Sequence, residues 1–211
     1  MFIDHKKKVI FFHIPKTAGS SVGVLLKDVN GLRGSDRLDP LPPIHHMSML
    51  SYDTSVESES TRGYDRVTFV RNPWDRLLSA FTEFSNPVSR PKDTQGAVAC
   101  LIQDEYKNKG FIGFCEDLPK IKDVVLSDIH FKPQMSFIYN DKPNYGLSYL
   151  GRYETLSSDW CAIASKYGYP PKLGWHRNSG HPHYKDMYSE TTKNIVGEIF
   201  EEDITSLGYE F

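Results

Sequence analysis

Three cysteines, Cys100, Cys115 and Cys161, are all that the 211-residue chain contains. Their odd count and wide spacing match neither a disulfide framework nor a zinc site, so free thiols in a reducing compartment are expected. An excess of positive charge is lacking too: 25 Lys and Arg stand against 27 Asp and Glu, a formal net charge of -2. A general nucleic-acid binder carries a basic excess. None is expected as a partner, and any anion must be held by locally placed Lys and Arg. No apolar run approaches the roughly 20 residues that cross a bilayer as a helix. Met1 to Lys8 is charged, with no apolar signal-peptide core and no small-residue cleavage site. The expectation is a cytoplasmic protein without an integral membrane segment; the alternative is an excised lumenal catalytic domain. Repeats and low-complexity tracts are also missing. A single domain over 1–211 is expected, which at this length buries roughly 70% of its unfolded surface.

What is present alternates between strands and helices. Val9 to Ile14 is a short, mostly apolar run, as expected for a central parallel strand. Val22, Leu25, Leu26 and Val29 follow at helical spacing, then a Gly-, Asp- and Pro-rich loop over 31–43 and a short helix within 44–52. Arg66 to Val70 reads as a second strand. Asn72 is a good N-cap, Pro73 suits the first helical position, and Leu77, Leu78, Phe81 and Phe84 form the stripe of the helix that follows. Segments 97–106 and 111–118 read as helices, and 135–139 and 147–153 as strands. A helix capped by Thr155 runs to about Tyr167, and one capped by Ser189 closes the chain. This alternation implies an α/β fold with a mainly parallel sheet.

Two strand–turn–helix segments carry the chemistry. In such sheets ligands bind beyond the carboxyl ends of the strands. At the first, His13-Ile-Pro-Lys-Thr-Ala-Gly-Ser-Ser21, Gly19 lets the backbone approach an anion and the amides of Ala18 to Ser21 face it. Lys16 adds a full charge, and Thr17, Ser20 and Ser21 add hydroxyls. This is not a Walker A loop, because the lysine precedes the glycine. At the second, Val70-Arg-Asn-Pro-Trp-Asp-Arg-Leu-Leu-Ser79, Arg71 stands where a P-loop NTPase usually places an Asp that helps hold Mg²⁺. A guanidinium there disfavours a metal and grips an anion directly. Ser79 adds a hydroxyl from the helix, and Arg76 reads equally as a structural ion pair or a functional group. Two such sites suit a ligand with two separated anionic groups.

These residues together resemble the PAPS-dependent sulfotransferases, in particular the branch with the carbohydrate sulfotransferases. In that family the first motif, here 13–21, binds the 5′-phosphosulfate of 3′-phosphoadenylyl sulfate (PAPS), and the second, here 70–79, binds its 3′-phosphate. Weaker likenesses follow in His130-Phe-Lys-Pro-Gln134, Gly151-Arg-Tyr-Glu-Thr-Leu156 and Asp203…Leu207-Gly-Tyr209. The resemblance implies a P-loop-NTPase-like three-layer fold, with a central, mainly parallel sheet flanked by helices. It implies PAPS as sulfuryl donor with no metal required, and a hydroxyl acceptor, a sugar or glycoconjugate. The sequence is short for the family, and the expectation is a chain without the anchor and stem of its Golgi members.

Transfer is expected in line, with Lys16 neutralising the leaving oxygen. Related enzymes carry a catalytic histidine between the two motifs. Here Ile44-His-His-Met-Ser48 offers His46 as the base and His45 as its runner-up. Glu83 is a further base candidate. His130, His176, His181 and His183 read as structural or substrate-contacting, and 175–188 as a loop that either closes over ligand or simply covers the surface. The competing functions are a metal-dependent P-loop-type kinase and a catalytically silent nucleotide- or glycan-binding module.

Overall fold

A computed structural model describes residues 1–29, 46–55, 57–90, 96–139, 146–174 and 180–211. Its strands are β1 (Phe2–Asp4), β2 (Val9–Phe12), β3 (Asp65–Val70) and β4 (Tyr149–Arg152). Its helices are α1 (Gly19–Val29), α2 (Met49–Asp53), α3 (Glu57–Ser60), α4 (Pro73–Ser85), α5 (Ala97–Val125), α6 (Met135–Ile138), α7 (Leu156–Tyr167), α8 (Glu190–Ile199) and α9 (Glu201–Leu207). The expected loop at 31–43 lies outside the described residues. The chain divides into two compact units, residues 1–71 with 136–178, and residues 72–135 with 179–211.

The first unit holds a four-stranded sheet in the order β1-β2-β3-β4. β2, β3 and β4 run parallel, with Phe12 opposite Thr68 and Val70 opposite Arg152. Strand alternation puts Val9, Phe11, Val67 and Phe69 on one face, where Val22, Leu25 and Leu26 of α1 and Leu156, Trp160 and Ile163 of α7 cover them. On the other face Tyr52 of α2, fully buried, meets the Phe12 ring edge-on at 5.6 Å. Helices thus flank a mainly parallel sheet, as the α/β reading expects. β1 is the addition. It pairs antiparallel with β2, through a turn in which Asp4 accepts from the Lys7 amide at 2.9 Å. The charged run His5 to Lys8 hides it, because the apolar signal before the turn is only three residues long, Met1 to Ile3.

The second unit packs helices around Trp74, Leu77, Phe81 and Phe84 of α4, Phe111, Phe114 and Leu118 of α5, and Val196 of α8. Asn72 caps α4 as expected, its side chain accepting from the Trp74 and Asp75 amides. The two helical segments expected at 97–106 and 111–118 are the halves of α5, parted at Gly110, whose φ of 66° and ψ of -167° no helix contains. Ser189 caps α8 through a reciprocal bond with Thr192.

One element differs in type. The strand expected at 135–139 is a single helical turn, α6. A short apolar run has no period long enough to separate strand from helix. The turn is set instead from far along the chain, by Asp203, whose carboxylate accepts from the amides of Gln134 and Met135 at 2.7 and 2.8 Å. The strand expected at 147–153 is present as β4.

Candidate active site

β2 ends at Phe12, and the chain turns through His13 to Ala18 into α1. Lys16 has φ 70° and Ala18 φ 73°, the left-handed region, whereas Thr17 between them does not. Each such residue costs roughly 1–2 kcal/mol when it is not glycine. Alternating φ signs turn successive amides toward one side, the arrangement of an anion-binding nest. Of the first-turn amides of α1, which starts at Gly19, those of Ser21 and Val22 donate to the Ala18 carbonyl, and those of Gly19 and Ser20 are the ones placed to meet a ligand. Backbone and helix end therefore fit an anion in front of this turn.

The side chains divide. Lys16 is half-buried. Thr17 is fully buried, and its hydroxyl donates to the Ile14 carbonyl at 2.9 Å, so its proton is spent within the turn. Ser21 is buried while Ser20 is partly exposed, and the Ser21 amide donates to the Ala18 carbonyl at 2.9 Å. Gly19 is required for a reason the sequence does not disclose. A Cβ there would sit 1.7 Å from Cδ2 of His13, so the imidazole occupies that space.

His46 comes to this turn. Its ring lies 4.4 Å from the His13 ring, centroid to centroid, and its Nδ1 is 3.0 Å from the His13 carbonyl oxygen. A carbonyl only accepts, so Nδ1 carries a proton there. Phe2 of β1 stacks on the other side of His13, at 6.0 Å. His45, the alternative base, lies outside the described residues.

Arg71 leaves the end of β3 and is 4% exposed. Its Nη1 donates to the Lys16 carbonyl at 3.2 Å, and its guanidinium lies over the Tyr153 ring at 4.0 Å. The strand end of the second motif thus grips the turn of the first. His13 and Tyr153 are the two residues that sequence reasoning left without a role. Both lie inside quoted motifs, but only a fold shows what a ring or a carbonyl touches.

The remaining candidates belong to the second unit. Ser79 lies in α4 and is buried. Arg76 is structural: it is buried and donates to the carbonyls of Lys132 and His130 at 2.8 and 3.3 Å. Glu83 is paired with Arg90 at 2.7 Å, which weakens its case as a base. His130 accepts from Arg90 at Nε2 and therefore donates from Nδ1 to Asp128. His181 Nδ1 donates to the Pro182 carbonyl, and the His183 ring stacks on Tyr184. Within the 175–188 loop, residues 175–179, including His176, lie outside the described residues. Its far end is held down, with Tyr184 accepting from Asn72 and Tyr188 donating to the Trp74 carbonyl.

A family model described as "Sulfotransferase family" matches residues 1–210. The chain belongs to the sulfotransferase family. It is 26% identical to carbohydrate sulfotransferase 9 of Homo sapiens over 97% of its own length and 48% of that protein's. It is 24% identical to carbohydrate sulfotransferase 8 of Homo sapiens and of Mus musculus, over 95% of its own length and 49% and 50% of theirs. The chain thus spans about half the length of these curated relatives. No solved structure matches significantly.

The sulfotransferase match covers the weaker motifs as well, and the structure gives them a shared physical task. His130 to Gln134 is held from both sides, by Arg76 on its carbonyls and by Asp203 on its terminal amides. The closing motif supplies that carboxylate, and Gly208 ends α9 in the left-handed conformation. Among the described residues no helix is long and apolar enough to cross a membrane, and no group of three or more His, Cys, Asp or Glu is placed to hold a metal ion.

Proposed function

We propose that the chain transfers a sulfuryl group from PAPS to a hydroxyl of a carbohydrate acceptor. The observation that carries the proposal is the position of His46 beside the first anion turn, with Nδ1 3.0 Å from the His13 carbonyl oxygen. Family membership and the names of the relatives support the reaction class and the sugar. When bound, PAPS supplies a sulfuryl group activated by a phosphate leaving group.

The residues divide the work as follows. The amides of Ala18, Gly19 and Ser20, with the Ser20 and Ser21 hydroxyls, hold the 5′-phosphosulfate oxygens. Thr17 supports them from beneath as a bond within the turn. Arg71 takes the 3′-phosphate, and for Ser79 the resemblance to the family's second motif is the support. His46 Nε2 accepts the proton of the acceptor hydroxyl as its oxygen bonds to sulfur. The bond from sulfur to the bridging oxygen breaks, and Lys16 neutralises the charge left on that oxygen. Electrostatic positioning of this kind does not call on a metal, and the carboxylate the motifs do contain, Asp75, sits in the first turn of α4 and not at the strand end, where Arg71 stands.

We extend the proposal to a single sulfotransferase domain made of both units, supported by one family match across both. Compartment belongs to the proposal too. Three free cysteines suit a reducing cytoplasm, and the family resemblance suits a lumenal catalytic domain; protease protection of the tagged chain in intact membranes separates the two. The function is tested by incubating the chain with labelled PAPS and a panel of sugar and phenol acceptors. Label on a sugar supports the proposal. Transfer only from ATP with Mg²⁺ would give the kinase reading instead, and nucleotide binding without any transfer the silent module.

A further inference from the structure

An arginine that recognises a phosphate through its edge is useful only if its plane is held still. Two contacts at different sides of the group fix the plane of Arg71. The guanidinium carbon lies 4.0 Å over the centre of the Tyr153 ring, and Nη1 donates to the Lys16 carbonyl at 3.2 Å. Tyr153 is seated by the backbone. β3 pairs Val70 with Arg152, and the Tyr153 amide then donates to the Val70 carbonyl at 2.8 Å, one residue past the last paired position. Sheet register therefore sets the tyrosine beside the arginine.

We propose that Tyr153 is a positioning residue of the nucleotide site: its ring holds Arg71 face-on, and through Arg71 it holds the left-handed turn at Lys16. The inference rests on the proposed assignment of Arg71 to the 3′-phosphate. A ring beneath a guanidinium works through its negative face, not through its hydroxyl. Phe therefore suffices at 153 and Leu does not. One guanidinium serves both motifs, so disturbing Tyr153 affects recognition of the 3′-phosphate and the order of the 16–18 turn together.

The test compares Tyr153→Phe, Tyr153→Leu, Arg71→Ala and the Leu/Ala double variant. Calorimetry measures binding of adenosine 3′,5′-bisphosphate and of AMP, which lacks the 3′-phosphate. Tyr153→Leu is expected to weaken bisphosphate binding by about 2- to 30-fold and AMP binding by less, since AMP feels only the loosened 16–18 turn, with Tyr153→Phe near the wild type. In the Arg71→Ala background, Tyr153→Leu should cost nothing further, because the two act as one unit. Losses that add, or a Phe variant as weak as the Leu variant, would overturn the proposal. Amide hydrogen exchange at residues 16–18 reads the same contact without nucleotide, with α7 as the internal control for an intact fold. Faster exchange in Tyr153→Leu but not in Tyr153→Phe is expected, and unchanged exchange in the Leu variant would overturn the positioning role. If the wild type bound both nucleotides equally while exchange followed this pattern, the 3′-phosphate assignment would fall and the hold of Tyr153 on Arg71 would stand.

Discussion

At the scale of single residues, the proposed chemistry turns on the contact between Nδ1 of His46 and the His13 carbonyl, which reserves Nε2 for the role of base in the proposal. That yields a sharper prediction than the presence of a histidine alone. His46→Ala should lower turnover by about 10²–10⁴ with nucleotide affinity kept, and should remove the acid limb of the rate–pH profile. His46→Asn can still donate to the His13 carbonyl and so should keep the fold, yet lose turnover to the same extent. An Asn variant with near-normal turnover would move the base elsewhere, with His45 next in line. Lys16→Ala should bind nucleotide but lose about 10²–10³ in kcat, the usual cost of one preorganised charge-stabilising group; this is read by single-turnover transfer. Lys16 and Arg71 were legible as candidates because charged residues stand out at strand ends, and His46 because a titratable residue stands out between the two motifs. Thr17, Arg76 and Glu83 show the limit of that reading. Each has a polar side chain in a suggestive place, and each spends it inside the structure: on the Ile14 carbonyl, on the carbonyls of 130 and 132, and on Arg90.

At the scale of elements, the parts written in local sequence were readable and those set by distant partners were not. The Asn72 cap, the Ser189 cap and the stripe of α4 are local signals and appear as expected. Strand β1 and helix α6 are not local. β1 exists because β2 offers it an edge, and α6 because Asp203 accepts from the amides that open it. Burial raises the affinity of the Asp203 carboxyl for its proton, but the Gln134 and Met135 amides and the charge of Arg76 oppose this. Replacing it with Asn therefore removes more than a charge. One carboxylate oxygen accepts from Met135 and the other from Gln134, so the amide nitrogen of Asn would face a donor either way. Asp203→Asn should destabilise the protein by about 1–3 kcal/mol, the cost of a buried N–H left without an acceptor, measured by urea unfolding. Unchanged stability would mean that α6 is set by something other than this carboxylate.

At the scale of the whole molecule, the order of motifs along the chain identified the family, while the division into two compact units had no visible signal, since each unit is built from two separate stretches. Two predictions belong here. Transfer should survive EDTA, because Arg71 stands where a metal-holding carboxylate would be needed; complete loss in EDTA with recovery in Mg²⁺ would favour kinase chemistry. The second concerns acid. The Asp65 carboxyl is held below its ordinary value by hydrogen bonds from Ser148, Tyr167 and Lys166, against the effect of burial. Burial pushes Asp128 up, but hydrogen bonds from His130 and the nearby charge of Arg90 outweigh it and leave it lowered. A depressed carboxyl contributes stability that is complete above its unfolded value, near 4, and is lost as pH falls through its folded value. Asp203 has the opposite sign. Its folded value is raised, so the contribution it makes when protonated is lost as pH rises through that value. Asp117 is likewise held low, by hydrogen bonds from Lys109 and Lys120, so among the described residues three depressed carboxyls stand against one raised one, and the midpoint of urea unfolding should fall steadily below pH 4. In Asp128→Asn that acid slope should be shallower, because one of the protons taken up on unfolding at low pH is gone; an unchanged slope would show that Asp128 is not held low in the folded chain.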